Sequence, residues 1–395
     1  MQFRTLDTAL TVHQESNNHK LGFVAFKKFG SAATEPRDFR GISHLCEHLV
    51  CRAWDDMDDE LTRRGVSHNA GTGDVSVQYF FQGLDAHIDE VTDKLLLREG
   101  PRNILNWVPS EAEFERERKV VIQEYEGYMS KPFNAMYVNL GRRYFDFDTA
   151  IGDIEVLQAM TYDKFIPFFL EQRSFDAFMR VGSSERSQSV LADFVAADPT
   201  PRQFLESTRP YMALVDTNRP VEFRSKSNGE VVIGDWLCFD DSVAPWEIAM
   251  ITELFDAGVK SPLIDVLRVQ HGLSYAAGMF RVGAPVPAAM SFVTVNPDNV
   301  DKARSLLHCV YTDWEKHITP ERFATAVAGV RVQNQLKEAS NYQWHNAGQA
   351  ISAPLVNVTN ALLDTFTYER VCSILSKFFV KENIRRAQVG EFLEI

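Results

Sequence analysis

The chain has 395 residues, 45% hydrophobic and 24% charged, with 41 Lys and Arg against 54 Asp and Glu and a formal net charge of −13. That length exceeds what one core usually serves and predicts two domains or more, while the acidic balance excludes a nucleic-acid binder, which needs a basic patch to release counterions. The N-terminus has no basic stretch followed by an apolar one, no apolar run reaches about 18 residues, and the five cysteines are odd in number and scattered; the expectation is a cytoplasmic protein with reduced thiols and no membrane segment.

In chain order, residues 9–13 and 21–26 alternate apolar and polar around a turn-type cluster, which predicts a β-hairpin. A polar loop over 30–40 leads into Gly41-Ile42-Ser43-His44-Leu45-Cys46-Glu47-His48-Leu49-Val50. If this stretch is helical, His44 and His48 sit on adjacent turns and face one point. Two such imidazoles commonly hold Zn²⁺ while leaving room for water. Glu47 falls to the other side of His44, where a general base for a metal-bound water should stand.

A short amphipathic segment over 55–64 is stopped by Gly65, and residues 67–73 open onto a strand whose Val75, Val77, Tyr79 and Phe81 share one face. Residues 84–98 read as an amphipathic helix. Ser110 and Glu113 form a capping box for a helix running to about Met129, in which Glu117 and Glu124 lie seven residues apart and within about 20° on one face. A further helix covers 161–170. Pro199, Pro201, Pro210 and Pro220 mark a linker, so the chain divides into a first lobe over 1–198, a linker over 199–220 and a second lobe over 221–395. The second lobe repeats the grammar of the first, with strands over 231–239 and 291–295 and helices over 246–257, 300–317 and from Pro320 to about residue 339.

Two histidines need a third protein ligand if zinc is to keep an open position, and Glu124 is the candidate. Glu117, two turns behind it, would steady a ligand or its helix by hydrogen bonding. Taken alone, both glutamates read better as solvated surface groups. Cys51 shares the histidine face but starts a turn beyond His48, and Cys46 points elsewhere, into packing. His68 and His271 border interesting segments without an assigned role.

The motif H-x-x-E-H is the inverzincin signature, and the chain resembles the pitrilysin, insulinase and mitochondrial processing peptidases in their half-length, two-lobed form. That family follows the motif with E-x6-E, supplied here by Glu117 to Glu124, with Glu124 standing 76 residues beyond His48. Gly30-Ser31, Glu35-Pro36 and Gly41-Ile42 before the motif and Asn69-Ala70 after it also resemble the family. The resemblance implies an α+β fold of two homologous lobes, each a mainly antiparallel sheet packed with helices on one side. It implies one zinc per chain on His44, His48 and Glu124, with Glu47 as general base and Glu117 behind the ligands. Asn69 and Ala70 would open an edge strand onto which an extended peptide adds by β-augmentation.

Arg268 and Tyr275 match the family's R-x6-Y pair, which binds substrate from another lobe and stabilises the carbonyl oxygen. Without the resemblance Arg268 is an ordinary surface residue and Tyr275 a core one. The resemblance further implies a zinc endopeptidase acting on peptides or unfolded polypeptide, working as a homodimer whose two sites are completed in trans; a heterodimer with an inactive partner stays open. The rival reading from another class is a non-catalytic scaffold subunit that retains the fold.

Overall fold

Two β-sheets organise the computed structural model, which describes residues 2–6, 9–15, 21–32, 34–96, 106–145, 148–172, 175–182, 221–224, 229–258, 260–282, 287–339 and 358–390. The first sheet has the strands β1 (Gln2–Leu6), β2 (Ala9–Glu15), β3 (Leu21–Phe29), β4 (Ser67–Thr72), β5 (Ser76–Leu84) and β6 (Ala177–Gly182) in the order β1-β2-β6-β3-β5-β4. The second has β7 (Val221–Arg224), β8 (Val231–Cys238), β9 (Ala277–Arg281), β10 (Ala288–Val295) and β11 (Ile384–Gly390) in the order β7-β11-β8-β10-β9. Leaving out β1, the two orders are the same. Each sheet is antiparallel except at one pair, β2 with β6 and β7 with β11, and these pairs occupy equivalent places. The expected α+β fold of two repeated lobes is therefore present.

The expected hairpin between residues 9–13 and 21–26 does not form. Strand β6 runs between β2 and β3, parallel to the first and antiparallel to the second. All six residues of β6 are buried. Such a strand gains most where both edges are hydrogen-bonded and both faces covered, so it displaces the pairing that sequence proximity suggested. β2 pairs on its other side with β1.

Along the first half of the chain come the helices α1 (Ile42–Cys51), α2 (Asp58–Arg63), α3 (Asp85–Leu96), α4 (Glu111–Met129), α5 (Pro132–Phe145), α6 (Ile154–Ala159) and α7 (Tyr162–Gln172). One core joins Val24 and Phe26 of β3, Val77, Tyr79 and Phe81 of β5, Leu45 and Leu49 of α1, Ile88 and Val91 of α3, Phe114 and Val121 of α4, and Phe165 and Phe169 of α7. The period-two face of β5 is thus buried as expected. The segment expected to be helical from 55 is instead a 3-10 helix over Arg52–Met57 that continues directly from α1 before α2 begins.

In the second unit, the helices Pro245–Asp256 and Val300–Thr312 occupy the places in chain order that α1 and α3 hold in the first, and Tyr368–Phe378 joins them around Ile233, Leu237, Val293, Leu307 and Leu375. α5, which precedes the expected linker in the chain, belongs to this unit. Its Tyr137 ring lies 5.7 Å from that of Trp236, and its Phe133 ring 4.9 Å from that of Phe292. Gly234 and Trp236 of β8 face it while Val231, Ile233 and Leu237 face the core, so α5 covers the reverse side of the second sheet. The expected linker over 199–220 lies outside the described residues. Among the described residues no helix is long and apolar enough to cross a membrane.

Arg180 of β6 is fully buried and ties α3 to the first sheet. Its guanidinium donates to Asp89 Oδ1 at 2.7 Å, to the Asp85 carboxylate and to the backbone carbonyl of Phe23 at 3.4 Å. Removing one partner of such a buried ion pair leaves uncompensated charge. Arg180→Met should lower unfolding free energy by about 3–5 kcal/mol, read as a fall in the denaturant midpoint at unchanged slope.

Candidate metal centre

The entry to α1 is fixed by three contacts. The Glu35 carboxylate accepts hydrogen bonds from the backbone N–H groups of Gly41 and Ser43, both at 2.7 Å, and so serves donors that the start of a helix leaves unpaired. Gly41, with φ +90°, and Gly152, with φ +77°, pass so closely that a Cβ on Gly152 would lie 2.2 Å from Gly41 Cα. Both positions require glycine. Burial raises the Glu35 carboxyl above its ordinary value, opposed by those two backbone hydrogen bonds.

Along α1, Ile42, Leu45, Cys46, Leu49 and Val50 are buried in the core. The alternation leaves His44 and His48 on the opposite side, their rings 4.9 Å apart and both half-buried. α4 answers with the same division of labour. The capping box expected at its start is formed, with Ser110 N–H donating to Glu113 Oε2 at 2.8 Å and Glu113 N–H donating to Ser110 Oγ at 3.3 Å. Phe114 and Val121 sink into the core, and Glu117 and Glu124 face the histidines.

His44 Nε2 and His48 Nε2 each lie 3.4 Å from Glu124 Oε2. The three donor atoms fall within 4.8 Å of one another. Ligands about 2.0–2.1 Å from a tetrahedral zinc are separated by about 3.3 Å, so the two His–Glu124 separations match the ion's spacing and the N,N,O set its chemistry. Burial, followed by the neighbouring His48, lowers the His44 pKa to about 4, which keeps the ring neutral as a ligand must be.

Glu47 is buried, and its Oε2 accepts a hydrogen bond from Thr72 Oγ1 at 2.8 Å. Burial raises its carboxyl above the ordinary range, against the opposing pull of Thr72 and of His48. Glu117, whose side chain is 1% exposed, points Oε2 at His48 Nδ1 from 3.5 Å. Its carboxyl is moved in the opposite direction: although burial acts to raise it, hydrogen bonds from Arg52 and Arg116 take it below the ordinary range.

Asn69 and Ala70 lie on β4, the terminal strand of the first sheet, which among the described residues pairs only with β5. Ser67, Asn69 and Gly71 are exposed, whereas His68, Ala70 and Thr72 face inwards. The Asn69 side chain accepts from the N–H of Ala70 at 2.9 Å. Arg268 and Tyr275 belong to the second unit. The turn Pro262–Ile264 continues as a π-helix over Asp265–Gln270 that carries Arg268, whose guanidinium stacks 4.6 Å over the Tyr275 ring. Far from being core, Tyr275 is 85% exposed.

Cys46 is packed in the core, and burial pushes its thiol up. Burial also raises the Cys51 thiol, aided by Glu47, and Cys51 is outside the converging donor group. His68 stacks on Phe81 at 5.7 Å and reaches Asp58 at 3.4 Å, a packing role; His271 is exposed. Three residues around the site were not singled out by sequence reasoning. Glu35 was visible only as part of a flank. Thr72 had the signal of standing two residues beyond Ala70 on the same strand face, and Arg52 that of standing four residues beyond His48.

These features define a two-lobed α+β protein with a converging His-His-Glu group on its first lobe. Residues 28–150 match the family described as Insulinase (Peptidase family M16). A search of curated proteins found no match. Among solved structures, the fold is similar to a protease from Helicobacter pylori at 17% identity, covering 99% of each chain with a TM-score of 0.80. It is also similar to an inactive domain of peptidase M16 from Pseudomonas fluorescens, at 14% identity over 100% of this chain and 99% of that one, TM-score 0.76. A periplasmic protease from Escherichia coli matches at 13% identity and TM-score 0.72, and there this chain spans 46% of the other. Residues 28–150 thus match that family's sequence model, and the whole chain is similar in fold to these solved structures, in keeping with the resemblance of the motifs.

Two of the shifted groups on α1, His44 and Glu47, act oppositely on stability in chelator. His44 has a lowered folded pKa, so its contribution is present above about pH 6.5 and is lost progressively as the pH falls towards 4. Glu47, with a raised folded pKa, stabilises at low pH and loses that contribution as the pH rises. Between pH 7 and 4, the metal-free wild type should therefore lose about 3 kcal/mol more than His44→Gln. Urea midpoints of the two proteins at both pH values check this; equal losses would contradict it.

Proposed function

We propose that the chain is a zinc-dependent endopeptidase that hydrolyses peptides or unfolded polypeptide segments. The observation that carries this reading is the convergence of His44, His48 and Glu124 at ligand spacing, with the hydrogen-bonded Glu47 carboxylate beside them. Zinc held by these three residues would supply a Lewis acid that acidifies a water and polarises a carbonyl. Glu47 takes the proton of the attacking water and returns it to the leaving amine. Its raised pKa suits both tasks, because a carboxylate that is too acidic is a poor base. Thr72 holds one carboxylate oxygen and so limits rotation of the group.

An extended substrate adds to β4 at Asn69 and Ala70, where main-chain hydrogen bonds bind it without regard to side chain. Arg268 and Tyr275 are donors for the carbonyl oxygen. In this reading the functional unit is a homodimer in which each site takes its Arg268 and Tyr275 element from the second copy. The acidic net charge of −13 favours basic peptides.

One specific observation favours a second reading, a non-catalytic partner subunit: a protein of this fold is described as an inactive M16 domain. Metal content separates the two. About one zinc per purified chain, with chelator-sensitive peptide hydrolysis, is expected for the enzyme; a zinc-free and silent protein is expected for the scaffold.

Glu47→Gln should retain that zinc and lose nearly all hydrolysis of a peptide library, while normal turnover in this variant would refute the assigned base. Mixing Glu47→Gln chains with Arg268→Ala chains should restore part of the activity that each lacks alone. Absence of rescue under demonstrated subunit exchange would exclude completion in trans.

A further inference from the structure

We propose that Arg52 is a positioning residue for the metal centre, acting through Glu117 on His48. The inference rests on the metal reading above and concerns a residue that lies outside both the H-x-x-E-H and the E-x6-E elements. Arg52 follows α1 directly, at the point where the α-helix passes into the 3-10 helix, and stands four residues beyond His48. One helical turn therefore carries its side chain to the same side as the histidine. There it meets the Glu117 carboxylate, donating from Nε to Oε1 at 3.0 Å, with Nη2 paired to the same oxygen at 2.9 Å. Arg116 adds a third donor to Oε1 at 3.1 Å. On its far side Arg52 is itself anchored by Asp55, whose Oδ2 lies 3.1 Å from Nη1.

The consequence is a division of labour between the two oxygens of Glu117. Oε1 is saturated by guanidinium donors. Oε2 is buried, has no hydrogen-bond partner among the described residues, and stands 3.5 Å from His48 Nδ1. A carboxylate clamped at one oxygen cannot rotate about its last torsion without breaking several charge-assisted contacts. The oxygen left over is thus directed at Nδ1 and favours the tautomer with the proton there. That tautomer leaves the lone pair on Nε2, the nitrogen that faces Glu124 at 3.4 Å. Orientation of a ligating imidazole by a carboxylate is a recognised determinant of metal affinity. Here the carboxylate is oriented in its turn, by a residue on the same helical run as the histidine. The contacts thus run from Asp55 through Arg52 and Glu117 to His48.

The test uses the full chain and cobalt(II), which reports both affinity and ligand geometry through its visible absorption. Titration against a competing chelator should show Arg52→Met binding cobalt about tenfold more weakly than wild type, with a changed absorption band. Arg52→Lys, which restores one charged donor, should recover part of that loss. In a Glu117→Gln background, Arg52→Met should cause no further loss, because the path through the carboxylate is already cut. Wild-type affinity and spectrum in Arg52→Met would overturn the proposal, as would a full tenfold loss persisting in the Glu117→Gln background. Equal weakness of the Lys and Met variants would also overturn it, since it would reduce Arg52 to packing. If Arg52→Met does not fold, Arg52→Lys is measured in both Glu117 backgrounds: weaker binding only where Glu117 is intact supports the proposal, and the same loss in both overturns it. A wild-type chain that takes up no cobalt would instead refute the metal reading itself.

Discussion

The centre depends on two helices, α1 and α4, that must each bury one face in a shared core and still bring polar side chains to a common point. Leu45, Leu49 and Val50 on one helix and Phe114 and Val121 on the other supply the burial. Each fully buried aliphatic side chain contributes about 1.5–3 kcal/mol, so the register of both helices is set by packing and not by the weak attraction among His44, His48, Glu117 and Glu124. The polar residues are where they are because the apolar ones cannot be elsewhere. A metal would then bind a site whose geometry the core has already fixed, which lowers the ordering cost of binding.

Within that frame, neighbouring carboxylates are moved in opposite directions. Glu47 is buried with one hydroxyl donor and is raised; Glu117 is buried with two guanidinium partners and is lowered. The cause is the number and charge of the donors each meets, not residue type. The outcome suits the roles assigned to them: a base should be reluctant to stay ionised, and a residue that orients an imidazole should remain so. Separated pKa values in adjacent acids are a common way for one site to hold two functions.

The repeat of the two sheets gives this arrangement a context. The same strand order, with its parallel pair in the equivalent place, occurs in both units. In the first, the helix after β3 carries the histidines; in the second, the corresponding helix Pro245–Asp256 carries none. One plan therefore carries the histidine pair in one unit and not in the other. The second unit has a different exposed feature, the Arg268 and Tyr275 stack. Its π-helix and the 85% exposure of Tyr275 are local departures from regular, buried structure, of the kind found at functional sites.

Much of this was legible from residue order alone. The i,i+4 histidines, the i,i+7 glutamates, the capping box at Ser110 and the period-two face of β5 depend on helix and strand geometry, which is the same in every protein, and so could be read without a fold. Even the pairing of Glu124 with His48 followed from a family spacing. Contacts that join distant segments by virtue of packing were hidden. The insertion of β6 between β2 and β3, the return of α5 to the second sheet and the clasp of Glu35 on the entry to α1 could not be read from order. Nor could the reach of Thr72 to Glu47 or the clamp of Arg52 on Glu117. Sequence specifies which faces of an element are apolar; which other face each one meets is settled only when all of them compete for the same interior.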